Sequence, residues 1–259
     1  MIDVQSQQDI RNIAINKVGI KNIRYPISLL DKQNKKQHTV ADINMYVSLP
    51  KEFKGTHMSR FVEIINKYKR EVELSKLGEI LLYIKNKLNA NDAHLEMVFP
   101  YFIEKCAPVS QAKGQMDYQC MVNGNLNESN DLDYILGVKV PITTLCPCSK
   151  EISNYGAHNQ RSEVTVKVRM DRFVWLEELI ELVESSGSCE IFSILKREDE
   201  KYVTEQAYNN PVFVEDVVRD ITEKLSRDPR ILWFSVESEN FESIHNHNAY
   251  AFIERDFRD

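Results

Sequence analysis

No apolar run in this chain approaches the roughly 18 residues that a bilayer-spanning helix needs, so a helical membrane protein is excluded. A basic excess is missing too. The net charge of −6 removes any global positive field, and nucleic acid is an unexpected partner. A small anionic substrate would need a local basic pocket. Cysteines are few and odd in number (Cys106, Cys120, Cys146, Cys148 and Cys189), which argues against a disulfide framework and for buried or metal-binding thiols. The opening MIDVQSQQDIRNIAINK lacks the charged-then-apolar order of a secretory signal, so the expected compartment is the cytoplasm. Glycine and proline are sparse, 8 of each, in an otherwise ordinary globular composition of 42% hydrophobic and 28% charged residues. A length of 259 residues allows one large domain or two small ones.

What is present is periodicity of two kinds. Ile43, Met45, Val47 and Leu49 alternate with polar neighbours, as do Val164, Val166, Val168 and Met170, which is the period of half-buried strands. Weaker strand patterns cover about 19–30, 93–104, 114–123, 132–141, 230–239 and 248–255. Helical spacing joins Met58, Phe61, Val62, Ile65, Tyr68 and Val72, and again Leu77, Ile80, Leu81, Ile84 and Leu88. Further on it joins Leu176, Leu179, Ile180 and Val183, then Val214, Val217, Val218, Ile221 and Leu225. Asn210 reads as the N-cap of that last helix and Pro211 as its first residue. The order is strand-strand-helix-helix-strand-strand, twice. It predicts an α+β protein of two units, 1–125 and 131–259, joined by the polar segment 124–133, each an antiparallel sheet with a helix pair on one face. One-sided sheets leave edges to cover, so an oligomer is expected.

Ligand-type residues concentrate in the second unit, in the segments 145–162, 196–205, 209–216 and 237–250. If each element runs antiparallel to the one before it, all four segments reach the same end of the sheet. Cys146, Cys148 and His158 come from the first, Glu200 and Glu205 from a loop between helices, Glu215 from the start of a helix, and His245 and His247 from a turn. A thiolate, an imidazole and a carboxylate can form a three-ligand metal site with an open position for water, while further histidines carry protons near neutral pH. Singly, each has an ordinary explanation. The Cys-x-Cys pair would share one face of an extended segment as small core residues, His158 would be a bonded loop residue, the glutamates would be solvated, and Glu215 would answer its helix dipole. Convergence from separate segments outweighs these.

Long runs carry a resemblance: INKVGIKNIRYPI (15–27), KGTHMSRF (54–61), PCSKEISNYGAHNQRS (147–162), KYVTEQAYNNPVFVEDVVRD (201–220) and VESENFESIHNHNAY (236–250). By these the chain resembles the type IB GTP cyclohydrolase I family over most of its length. The resemblance implies the tunnelling fold, with two tandem ββααββ units per chain, and a homotetramer with active sites at subunit interfaces. It implies a metal-dependent conversion of GTP to 7,8-dihydroneopterin triphosphate and formate, at the head of tetrahydrofolate and queuosine biosynthesis. Cys146, His158 and Glu200 look like ligands of zinc, manganese or another divalent ion; Glu205 is the rival carboxylate. Cys148, His245 and His247 look catalytic, and Glu215 looks like the anchor for the N–H edge of guanine. Lys54, His57 and Arg60, at a helix start that also offers backbone N–H groups, are favoured for the triphosphate; Lys150 and Arg161 flank the metal loop.

Three readings compete: an archaeal-like cyclohydrolase that stops at a cyclic phosphate, a metal-free nitrile reductase of the same fold with a nucleophilic cysteine, and a non-catalytic pterin- or metal-binding module. Product analysis, metal content and formate release separate them.

Overall fold

The computed structural model describes Gln5, residues 7–68 and residues 76–258. The elements follow as β1 (Ile15–Asp31), β2 (Lys35–Leu49), α1 (Met58–Lys67), α2 (Leu77–Leu88), β3 (Ala93–Cys106), β4 (Lys113–Leu126), β5 (Leu132–Leu145), α3 (Pro147–Ile152), β6 (Asn159–Met170), α4 (Leu176–Glu184), α5 (Arg197–Asn209), α6 (Val214–Ser226), β7 (Ile231–Asn240) and β8 (Ala249–Asp256). Strand order in the sheet is the order in the chain, β1 to β8, and β1–β2, β2–β3, β5–β6, β6–β7 and β7–β8 pair antiparallel. The ββααββ pattern occurs twice, the second time with α3 and α5 added. Among the described residues no helix is long and apolar enough to cross a membrane. Val72, assigned to the first helix from its spacing, lies outside the described residues.

Two compact units are distinguishable, residues 1–100 with 121–135, and residues 101–120 with 136–259. In the first, alternation along β2 points Ile43, Met45 and Val47 inward, each 1% exposed. α1 adds Phe61, Ile64 and Ile65, and α2 adds Ile80, Leu81 and Ile84. Gly124 on β4 exists because α2 lies directly on it: a Cβ there would meet Leu77 and Leu81 side-chain atoms at 2.8 and 2.9 Å. Lys85 of α2 is buried, and its ammonium donates to Asn127 O, Glu128 O and Asn130 Oδ1 at 2.7, 2.8 and 2.8 Å. The polar joint between β4 and β5 is thus held from below, with Asn130 in the left-handed region at φ 66.

In the second unit, β6 buries Val164, Val166 and Val168, and β7 buries Phe234 and Val236. α6 packs on β7 and buries Val217, Val218, Ile221 and Leu225, while α4 buries Leu179, Ile180 and Val183. Each such side chain, removed from water, contributes about 1.5–3 kcal/mol.

Three local readings are corrected. The last helix starts at Val214 with Phe213 as N-cap, because Asp216 Oδ2 accepts the Phe213 N–H at 3.0 Å. Asn210 and Pro211 instead close α5: the Asn210 N–H still bonds Gln206 O, and the proline forbids helical continuation. Glu200 and Glu205 stand on that helix, not in a loop; α5 escaped the periodicity because it buries only Asp199 and Ala207. Finally, the Cys-x-Cys pair is not extended. Pro147 opens α3, so Cys146 is its N-cap while Cys148 lies in its first turn.

Candidate functional site

Leaving β5, the chain reaches Cys146, whose backbone N–H donates to His158 O at 3.1 Å and closes the loop containing α3. The Cys146 sulfur accepts the Ser149 N–H at 3.4 Å, as an N-cap acceptor does. At the other end of the loop, the His158 N–H donates to Ser149 Oγ at 3.1 Å. Both side chains are half-buried.

The ring of His158 is held by a short chain of polar groups. Its Nδ1 lies 3.0 Å from Gln160 Oε1. Gln160 Nε2 donates to Thr144 Oγ1 at 2.9 Å, and Thr144 Oγ1 bonds Ser162 Oγ at 2.7 Å. Because the Gln160 amide N–H is spent on Thr144, its oxygen faces the ring, so Nδ1 carries the proton and Nε2 offers a lone pair. Strand geometry makes this possible: Thr144 and Gln160 are register partners across β5 and β6, and Gln160 and Ser162 both point inward.

One cleft of about 300 Å³ receives Cys146, His158, Glu215, His245 and His247. Glu215 sits in the first turn of α6, where Asp216 does the capping. His245 and His247 lie in the β7–β8 connection with stacked rings, centroids 5.0 Å apart and 20° between planes. Gln160, Asn240 and Glu242 also line the cleft. Sequence reading missed these three. Gln160 and Asn240 did leave a signal, since each is a polar residue on the inward-facing phase of a strand.

Other expected residues lie elsewhere. Cys148 and Glu200 are exposed and do not line this cleft. Glu205 lines a different cleft of about 550 Å³ with Tyr155, Asn159 and Tyr208. His57 and Arg60, in the first unit, line a cleft of about 220 Å³, and Lys54 is exposed without lining it. Lys150 is engaged: its Nζ donates to Tyr208 O at 2.6 Å and stands 4.5 Å over the Tyr208 ring. Arg161 lines a cleft with Lys139, Glu163 and Phe241.

A sulfur and a free ring nitrogen in one cleft suit a divalent ion. Among the described residues, however, no group of three His, Cys, Asp or Glu stands close enough together to hold one. The chain supplies two donors here, and the third is not assembled.

α5 is positioned by Asp199, which is fully buried. Its carboxylate accepts the N–H groups of Val109 and Ser110 at 2.8 Å each, the Ser110 hydroxyl at 2.5 Å and the Lys196 N–H at 2.9 Å. Burial alone would raise its pKa, but these hydrogen bonds outweigh burial and hold it below the usual carboxylate range. The first turn of α5, carrying Glu200, is thereby pinned to the β3–β4 turn.

Comparison with known proteins identifies the family. A family model described as type I GTP cyclohydrolase folE2 matches residues 1–251. The GTP cyclohydrolase FolE2 of Syntrophotalea carbinolica is 60% identical over 254 residues, covering 98% of this chain and 95% of that protein. That of Geobacter sulfurreducens is 59% identical over 258 residues, covering 100% and 99%. Among solved structures, urate oxidase from Bacillus subtilis 168 superposes with a TM-score of 0.55 at 8% identity, over 93% of this chain and 98% of that one. A highly active mutant of Bacillus sp. TB-90 urate oxidase gives 0.53 at 9% identity, over 93% and 100%. The structural likeness shows the fold alone, the tunnelling fold. With the family model spanning nearly the whole chain and relatives at about 60% identity over nearly their full lengths, the chain belongs to the type I GTP cyclohydrolase FolE2 family.

Proposed function

We propose that this chain hydrolyses GTP to 7,8-dihydroneopterin triphosphate and formate, as a type IB GTP cyclohydrolase I. The observation that carries the reading is the meeting of Cys146, His158, Glu215, His245 and His247 in one cleft of a chain from this family.

Cys146 and His158 are proposed to hold a divalent ion, zinc or manganese, with Glu200 as the third ligand. Support for Glu200 is chemical: a carboxylate completes a sulfur–nitrogen–oxygen set. The ion, when bound, supplies Lewis acidity that makes water a nucleophile at neutral pH. The Gln160–Thr144 chain holds His158 by Nδ1, which leaves Nε2 to serve as the ligand atom. Glu215 orients the purine by accepting its N–H edge in two parallel hydrogen bonds. Water adds at C8, and His245 and His247 deliver the proton to the ring nitrogen as the C8–N bond breaks. A second hydrolysis releases formate, after which rearrangement of the ribose and ring closure need proton transfer from the same histidines. Cys148 is proposed as a catalytic thiol, and Lys54, His57 and Arg60 as the cations that receive the triphosphate.

Residues 1–125 and 131–259 are read as the two tandem tunnelling-fold units, and the assembly as a homotetramer with interfacial active sites. Support comes from the outer strands β1 and β8, which leave sheet edges to pair, and from Ile152 and Tyr155, 83% and 100% exposed on the loop between Cys146 and His158. A reducing compartment such as the cytoplasm suits a site that depends on a free Cys146 thiol.

The test is to strip the protein of metal, supply GTP, restore zinc or manganese, and follow formate together with pterin fluorescence after oxidation. Cys146→Ala is run alongside. Metal-dependent neopterin triphosphate, lost in the variant, establishes reaction and ligand together. A cyclic phosphate product redirects the reading to the archaeal-like reaction, and bound metal without formate leaves only a binding module.

A further inference from the structure

Asn240 is the last residue of β7 and lines the cleft that holds Cys146, His158 and Glu215. It is 3% exposed, yet its side-chain Oδ1 is buried without a hydrogen-bond partner. Ser238, two residues earlier on the same face, also has an unpartnered buried oxygen, but it does not line the cleft. Its neighbours Thr144, Gln160 and Ser162 are all satisfied by one another. A buried acceptor without a donor is costly, and folded proteins retain few of them. Asn240 therefore combines two properties, a missing donor and a place in the lining of the site.

The missing donor can be identified by elimination, on the reading that the substrate is GTP. An amide oxygen needs an N–H or O–H. Guanine offers N1–H and the two hydrogens of its exocyclic 2-amino group. A carboxylate engaging the N–H edge in two parallel bonds takes N1–H and one amino hydrogen, which is the role proposed for Glu215. The second amino hydrogen is then the one base donor left over. We infer that Asn240 is a specificity-determining residue whose Oδ1 accepts that hydrogen, so that the cleft reads the 2-amino group from two sides. A purine triphosphate lacking the amino group would leave this oxygen buried and unpaired, and sites built on such groups reject the analogue that lacks the donor.

The inference is tested by binding and by kcat/KM with three nucleotides: GTP, inosine triphosphate, which lacks the 2-amino group, and 2′-deoxy-GTP, which lacks one of the two ribose hydroxyl donors. Asn240→Leu removes both polar atoms at similar volume, and Asn240→Asp keeps an acceptor. Asn240→Leu is expected to weaken GTP about tenfold, the value of one neutral hydrogen bond, and to leave inosine triphosphate within about twofold. The preference for GTP over inosine triphosphate then falls about tenfold. Asn240→Asp should keep that preference even if it binds both nucleotides less tightly, and this arm decides the matter if the leucine variant does not fold. Equal losses for both nucleotides would mean that Asn240 holds a structural water, and would overturn the inference. So would a penalty that disappears with 2′-deoxy-GTP, or a preference lost in Asn240→Asp. Wild-type protein that binds no GTP at all would overturn the cyclohydrolase reading itself, a result distinct from the others.

Discussion

Gln160 Oε1 lies 3.0 Å from His158 Nδ1, and its own amide N–H is committed to Thr144. The imidazole is thereby locked in one tautomer before any metal arrives. Gln160→Leu should leave the fold intact while freeing the ring to rotate. The expected result is a loss of metal affinity of about 10–100-fold, the usual effect of removing a group that orients a ligand histidine. Competition of the variant with a chromogenic chelator measures it. Unchanged affinity would mean that His158 is held by the loop alone.

How far the sequence leads can be seen from these same residues. The strands bearing Gln160 and Asn240 were legible, since period-2 burial survives translation into structure almost residue for residue: Val164, Val166 and Val168 are each 0% exposed. Their polar members were not legible, because a glutamine on an inward phase looks like a flaw in the pattern until its partners across the sheet are known. α5 was missed for a related reason. Its stability comes from an anchoring carboxylate and tertiary contacts, not from an apolar face, and charge-rich REDEKYVTEQ carries no stripe to read. The expected convergence of four segments rested on topology, and the cleft gathers residues from three of them. Glu200, on the fourth, is exposed, and this was not legible because helix phase, unlike sheet topology, cannot be inferred for a segment read as a loop.

Asp199 joins the start of α5 to the β3–β4 turn through three hydrogen bonds and caps its own helix with a fourth, from the Lys196 N–H. Asp199→Ala orphans the Val109 and Ser110 amides as well as removing the anchor, and is expected to lower the denaturant midpoint well beyond the effect of Glu198→Ala on the exposed face of the same turn. The pH dependence has a definite sign. A carboxylate whose folded pKa lies below its unfolded value stabilises the fold above the unfolded value, near 3.9, and loses that contribution as pH falls toward the folded pKa. The gap between wild type and Asp199→Ala should therefore be full at neutral pH and narrow below about pH 4. A gap independent of pH would show that the residue acts by packing.

Lys85 is an unusual buried cation, since its three partners are neutral oxygens, Asn127 O, Glu128 O and Asn130 Oδ1. Its role is to satisfy carbonyls in the turn between β4 and β5. Lys85→Met keeps the aliphatic stem against α2 but strands those oxygens, at a cost of about 1–3 kcal/mol. Chemical denaturation reads the loss, and hydrogen exchange should localise faster opening to Asn127–Asp131. An equally stable variant would mean that water replaces the ammonium there.

Lys105 reaches two carboxylates, Glu184 Oε1 and Glu190 Oε2, both at 2.7 Å, and the Tyr118 hydroxyl donates to the same Glu184 oxygen at 2.7 Å. Burial raises the Glu184 pKa, and the Lys105 charge and the Tyr118 hydrogen bond offset this only in part. A raised folded pKa means that the native state holds its proton more tightly than the unfolded chain does. The stability linked to Glu184 is thus fully present below the ordinary value of about 4.3 and declines as pH rises through the folded pKa. Lys105→Met removes the compensating charge, leaving a buried carboxylate without its cation, and should cost about 3–5 kcal/mol at neutral pH. Because protonation relieves that carboxylate, the penalty should shrink on acidification, opposite in origin to the narrowing at Asp199. The double variant Lys105→Met/Glu184→Gln should recover most of the loss at neutral pH and show little of the pH dependence. Melting curves of the three proteins between pH 5 and 8 decide it: a penalty that persists in the double variant would place the role of Lys105 in its contacts with Glu190, Ile191 O and the Phe192 ring instead.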